Sequence, residues 1–190
     1  MKPVDFVRIK DSFIQGRVNE PVELERGIYS VTLEENESDA KLRNVQICNV
    51  PKDALLINLH NINPEAWLRG LFQLDSKQGL FQCCDYALLS ARNIIFIELK
   101  SKSVDMRGVK NQLKSGTCLF TYCSSVLSQF YGTSIPFPGN EDYNPRYILI
   151  SYSSSAKRPF RGKPPSNHVP ENMRHYKVPN MSQINYQSLI

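Results

Sequence analysis

Long apolar runs are missing from this 190-residue chain. None approaches the roughly 20 residues that cross a bilayer as a helix. The opening Met1-Lys2-Pro3-Val4-Asp5 lacks the apolar stretch of a signal peptide. Nucleotide signatures are missing too: no GxxxxGK or GxGxxG pattern occurs, so neither ATP nor a dinucleotide is indicated. No GxSxG elbow surrounds a serine, and Ser153-Ser154-Ser155 is loop composition. Histidine is scarce. His60, His168 and His175 have no ligand spacing and are expected at the surface. The five cysteines are odd in number and form no CxxC or Cys/His pattern. Cys48, Cys83, Cys84, Cys118 and Cys123 therefore read as small, buried thiols in a reducing compartment. These absences point to a cytoplasmic protein without a membrane partner.

What is present is enough for a core, with 41% hydrophobic residues, and an uneven charge. Residues 1–80 carry 10 Lys+Arg against 12 Asp+Glu, a net of −2, and residues 81–190 carry 13 against 6, a net of +7. The basic half suits a polyanion; the plainer reading is a solvated basic surface.

Residues 1–60 read as a β-rich region packed on a core of residues 61–190. Val4 to Ile14 is short and mixed. Apolar and small residues alternate through Val22 to Leu33, Val45 to Cys48 resembles a strand, and Ala54 to Leu59 reads as strand. Asn63-Pro64-Glu65 opens a helix that ends before Gly79, with asparagine as cap and proline in the first turn. Two strands follow, over about 80–90 and 93–100, joined by Ser90-Ala91-Arg92-Asn93. Val104, Met106, Val109, Leu113, Leu119 and Phe120 have helical spacing, and Gly116 is expected to divide that stretch into two helices. Tyr131 to Asn144 is a loop, Arg146 to Tyr152 a strong strand, and Ser153 to Ser166 a basic loop. The tail from Tyr176 is expected to hold a short strand and a terminal helix. A helix between two strands implies a crossover and a parallel pair. The class is α/β or α+β, a mixed central sheet flanked by helices.

The chemistry concentrates in Ile94-Ile95-Phe96-Ile97-Glu98-Leu99-Lys100. Residues two apart on a strand share a face, so Glu98 and Lys100 point the same way at the end of an apolar strand. Asp85 opens the preceding apolar run, and a hairpin would bring it near Glu98. Two converging carboxylates select a hard divalent cation, Mg²⁺ or Mn²⁺. The expected ligands are Asp85, Glu98 and a backbone carbonyl, that of Leu99. Such an ion would polarise a phosphorus centre and activate water, with Lys100 stabilising the crowded oxygens.

Asp85, a thirteen-residue step and Glu98-Leu99-Lys100 at the end of an apolar strand resemble the PD-(D/E)xK nuclease superfamily. Many members carry a glutamine on the following helix, and Lys110-Asn111-Gln112-Leu113-Lys114 stands in that place. Gly116 occupies the position of a tyrosine found in some branches, and Cys84 precedes Asp85 where a proline is common. The resemblance implies a restriction-endonuclease-like α-β-β-β-α-β core between about 63 and 152. It further implies metal-dependent cleavage of phosphodiesters, most often in DNA, with catalytic residues Asp85, Glu98, Lys100 and Gln112. Glu65 is the candidate for an additional acid on the first helix.

Each reading has a plainer rival. Glu98 and Lys100 could be an exposed pair on a surface hairpin, although the unbroken apolar run argues against it. Gln112 could be a solvated helix position, and Glu65 a first-turn residue stabilising the helix dipole. Lys102, Lys110, Lys114, Lys157, Arg158, Arg161 and Lys163 could grip a nucleic-acid backbone or simply be solvated. Tyr152 and Phe160 could stack on bases or pack internally. The expected function is a Mg²⁺-dependent nuclease acting on DNA, with a homodimer the simplest arrangement for cutting two strands. The alternatives are a non-catalytic nucleic-acid-binding module and an interaction subunit of a restriction, repair or defence complex.

Overall fold

Glu98 lies in a strand that is buried on both faces, and the reason is a three-layer arrangement. The computed structural model describes residues 17–35, 39–60, 82–90, 93–131, 144–154 and 166–190. Its strands are β1 (Val18–Asn19), β2 (Val22–Glu25), β3 (Ile28–Glu34), β4 (Asn44–Cys48), β5 (Leu55–Asn58), β6 (Tyr86–Leu89), β7 (Asn93–Lys100), β8 (Asn144–Tyr152), β9 (Arg174–Val178) and β10 (Ser182–Asn185). Among the described residues there is one α-helix, α1 (Met106–Tyr131), and short 3-10 turns lie at Pro170–Asn172 and Tyr186–Ser188.

The larger sheet has the order β1-β5-β6-β7-β8-β9. β5, β6 and β7 form an antiparallel meander. α1 then carries the chain to β8, which runs parallel to β7, and β9 is parallel to β8. The smaller sheet has the order β10-β4-β3-β2. The class is mixed α+β with a β-rich extension.

Alternating residues of β7 serve two cores. Ile94 and Phe96 join Val109, Leu113, Phe120 and Leu127 of α1, together with Ala87, Leu89, Tyr147 and Leu149. The 4- and 7-residue spacings along α1 place its apolar stripe on one side of the helix. Phe96 stacks on Tyr147 with centroids 5.5 Å apart and meets Phe120 edge-on at 5.6 Å. Ile95, Ile97 and Leu99 face the other way, onto Val31, Leu33, Val45, Ile47 and Ile184 of the smaller sheet. Covering both faces explains why residues 94–97 read as one apolar run and not as an alternation.

Gly116 does not divide the helix. α1 is continuous through it, and at the glycine the helix lies close against Cys84 and Phe96. A Cβ there would lie 2.5 Å from Cys84 Sγ and 3.4 Å from Phe96 Cδ1. The N-terminus of α1 is set by Asp105, whose Oδ1 accepts the Arg107 amide at 3.0 Å, the N-cap geometry.

The tail contains two strands and a final 3-10 turn in place of a strand and a terminal helix. Asn185 caps that turn by accepting the Gln187 amide at 2.9 Å. The expected partition at residue 60 does not follow the sheets. β5 belongs to the larger sheet with the residues after 60, and β10, from the tail, pairs with β4 in the smaller one. The third strand of the antiparallel meander is β5, which precedes residue 63; the span expected to hold all three contributes β6 and β7. The segment Val4 to Ile14, the helix beginning at Asn63, and the Ala91-Arg92 turn lie outside the described residues.

Candidate functional site

The carboxyl ends of β5, β7 and β8 and the start of β6 meet at one end of the larger sheet, the end where open α/β sheets bind ligands. The β6–β7 register pairs Tyr86 with Ile97. Continued by one step, it sets Asp85 opposite Glu98 on the face covered by α1. Asp85 Oδ2 accepts the Leu99 amide at 2.7 Å, so its carboxylate reaches across to β7. The Leu59 amide donates to the Asp85 carbonyl at 2.7 Å, which holds β6 against the end of β5.

Glu98 is the anomaly of the fold: a carboxyl side chain with 0% exposure. Its Oε1 lies 2.5 Å from Lys100 Nζ, yet neither oxygen accepts a hydrogen bond of good geometry. Burial, and then the neighbouring Asp85 carboxylate, push the Glu98 carboxyl up to about 8, against the opposing charge of Lys100. For Lys100, burial acts downward, but the Glu98 carboxylate outweighs it and raises the pKa. The Lys100 side chain is 30% exposed, so the ammonium links a dry carboxylate to solvent.

α1 touches the site through its backbone. The Cys84 amide, one residue before Asp85, donates to the Gln112 carbonyl at 3.1 Å. The Gln112 side chain is half-buried. Lys110 is also half-buried on α1. Lys114 pairs with Glu171 at 2.6 Å, tying α1 to the 3-10 turn before β9, and Lys102 pairs with Asp39 at 2.7 Å. Both pairs are exposed, and acids partly neutralise these two lysines on the surface. Glu65, Lys157, Arg158, Phe160, Arg161 and Lys163 lie outside the described residues.

Two of the histidines expected at the surface are partly buried and hydrogen-bonded. His60 Nδ1 stands 3.2 Å from Asp85 Oδ1, and its amide donates to Asn58 Oδ1 at 2.9 Å. The signal for it was present: Leu55-Leu56-Ile57 ends in polar Asn58 and His60 much as the β7 run ends in Glu98 and Lys100. His175 is half-buried on β9 and bonded to Ser151. Tyr86 was also missed. Its hydroxyl donates to the Glu34 carbonyl at 2.8 Å and accepts the Glu34 amide at 3.0 Å, fastening the smaller sheet beside Asp85.

The donor set fits a hard cation in kind: two carboxylates on one face, one of them buried with both oxygens lacking a good donor. Among the described residues, no group of three or more His, Cys, Asp and Glu side chains is gathered to hold a metal. Also among them, no helix is long and apolar enough to cross a membrane. Comparison of the chain with protein-family models, with curated proteins and with solved structures gave no match in any of the three.

Proposed function

We propose that the protein is a nuclease that hydrolyses phosphodiester bonds, in DNA by preference, with the help of a divalent cation. One observation carries the reading: Glu98, fully buried and without a good hydrogen bond, faces Asp85 across two strands and is ion-paired to Lys100. Such a group costs stability unless something satisfies it. A hard cation held by Glu98 and Asp85 at the mouth of the site would satisfy it. The resemblance to the PD-(D/E)xK superfamily supports the same reading, as does the meander, helix and parallel strand of β5, β6, β7, α1 and β8.

In this reading Asp85, Glu98 and the Leu99 carbonyl are the groups that would hold Mg²⁺ or Mn²⁺. When bound, the ion supplies Lewis-acid polarisation of the phosphate. The protein's own groups do the rest. His60 and the Leu99 amide fix the Asp85 carboxylate by bonds to its two oxygens. Lys100, whose ammonium stands beside Glu98, would meet the developing charge on the phosphate. Gln112 orients water or backbone from the helix above.

The test is incubation of the protein with plasmid and linear DNA, with Mg²⁺, with Mn²⁺ and with EDTA, beside the Lys100→Ala variant. Cleavage is expected only with the ion, and Lys100→Ala should lower its rate about 10²-fold or more. Cutting that persists in EDTA and in the variant rules the mechanism out. Salt-sensitive DNA binding without cutting under any ion points instead to a binding module that retains the fold.

A further inference from the structure

The row of functional groups does not stop at Lys100. β7, β8 and β9 are parallel neighbours, and their register aligns Lys100 with Ser151 and Ser151 with Lys177. Partners in register project from the same face. The face is that of α1, because Phe96, Tyr147 and Leu149 precede them on it. Lys100, Ser151 and Lys177 thus form a line across the carboxyl end of three strands, spaced about 4.8 Å per strand.

His175 stands on the same face of β9, two residues before Lys177 and opposite Leu149. Its Nε2 is 2.7 Å from Ser151 Oγ, and Ser151 is buried. The serine fixes the ring and leaves the other imidazole nitrogen as the group available to a ligand. Burial, then the charge of Lys177, lower the His175 pKa, so the ring is the weaker cation beside the stronger one. Lys177 is exposed and has no acidic partner among the described residues. Lys102 and Lys114, by contrast, are each paired with an acid. An ammonium unpaired among the described residues, next to an oriented imidazole and at the same end of the sheet as two metal-binding candidates, is a binding arrangement for a phosphate oxygen.

We infer that Ser151, His175 and Lys177 form a subsite for the phosphate next to the reacting one, so that the substrate backbone crosses the sheet end from β6 toward β9. The inference rests on the nuclease reading for the identity of the polymer. Lys177 supplies the charge, His175 a hydrogen bond, and Ser151 acts as the positioning residue behind His175.

The experiment uses the full chain and a fluorescent single-stranded DNA 20-mer in Ca²⁺. Its dissociation constant is measured over a range of salt for wild type, Lys177→Ala, Lys177→Arg and His175→Gln, with thermal unfolding as the check on folding. Lys177→Ala should flatten the log–log salt slope by about 0.7, the amount for one contact to a single strand. Lys177→Arg should keep the slope, and His175→Gln should weaken binding without altering it. A second arm measures cleavage in Mg²⁺ of 20-mers with a neutral methylphosphonate on either side of the cleaved bond. One of the two should slow wild type and leave Lys177→Ala unaffected.

A wild-type slope in folded Lys177→Ala overturns the subsite, whether or not the protein cuts DNA. A flattened slope with no cleavage under any divalent ion keeps the subsite and removes the nuclease. Absence of any DNA binding overturns both.

Discussion

Glu98 makes the site measurable without a substrate. Its carboxyl is raised from 4.5 to about 8 by burial and then by Asp85. In the unfolded chain the group ionises near 4.5, while in the fold it keeps its proton to higher pH. The folded state therefore binds more protons in that window, and stability falls as pH rises from about 4.5 through about 8. The raised Lys100 acts in the opposite sense to a depressed one, contributing stability that is lost only above its ordinary 10.5, outside this window. Chemical denaturation between pH 5 and 8.5 should show wild type losing roughly 2 kcal/mol relative to Glu98→Gln, within the range for a buried group left unsatisfied. Parallel curves would show that Glu98 is not the source. If Glu98 holds the proposed ion, binding displaces its proton, and Mn²⁺ should raise the melting temperature more at pH 8.5 than at pH 6.5. The difference should vanish in Glu98→Gln; equal shifts at both pH values would remove Glu98 from the ligand set. The juxtaposition of Asp85 and Glu98 was legible because strand periodicity and a single hairpin determine it. The polar end of the β5 run marked His60, but its place beside Asp85 depends on β5 pairing with β6 across the intervening residues 61–81, a long-range match that local pattern does not encode.

At the level of elements, α1 is the part whose sequence misled. A glycine within a helical stretch signals a break when only local propensity is considered. Here packing overrides propensity: Gly116 lets α1 lie against Cys84, whose neighbour is Asp85. Gly116→Ala gains about 1 kcal/mol of helix propensity. The clash of its Cβ with Sγ at 2.5 Å should cost more, so a net loss of about 1–2 kcal/mol in urea denaturation is expected. Adding Cys84→Ala removes the obstructing sulfur, and the double variant should recover most of that loss. Failure to recover would mean that the helix backbone, and not this contact, sets the sensitivity. The strands β3, β4, β5, β7 and β8 were readable from their apolar runs. β9 was harder, because Arg174-His175-Tyr176-Lys177-Val178 is an edge strand of half-exposed polar and aromatic residues.

The whole molecule is joined by its tail. Ile184, Tyr186 and Leu189 are buried between the two sheets. Asn167 Nδ2 donates to the Leu189 carbonyl at 2.9 Å, and the Tyr186 hydroxyl meets Ser90 Oγ at 2.6 Å. Leu189→Ala should destabilise the protein by about 2–5 kcal/mol, the range for a fully buried leucine. Melting and urea transitions should move together. A change near zero would show that the inter-sheet core is stable without the final turn. The terminal α-helix expected from the sequence fails for a related reason: the tail's apolar side chains are spaced to plug a gap between sheets, and a 3-10 turn does that in three residues.

The parallel pairing of β10 with β4 also constrains the order in which the protein can be made. Residues 182–185 hydrogen-bond to residues 45–48, so the ribosome releases the first partner long before the second. Until residues 182–185 have left the ribosome, β4 carries an unoccupied edge, the kind of surface that invites mispairing. The inter-sheet core is complete only once Ile184, Tyr186 and Leu189 have emerged to join residues made about 140 positions earlier.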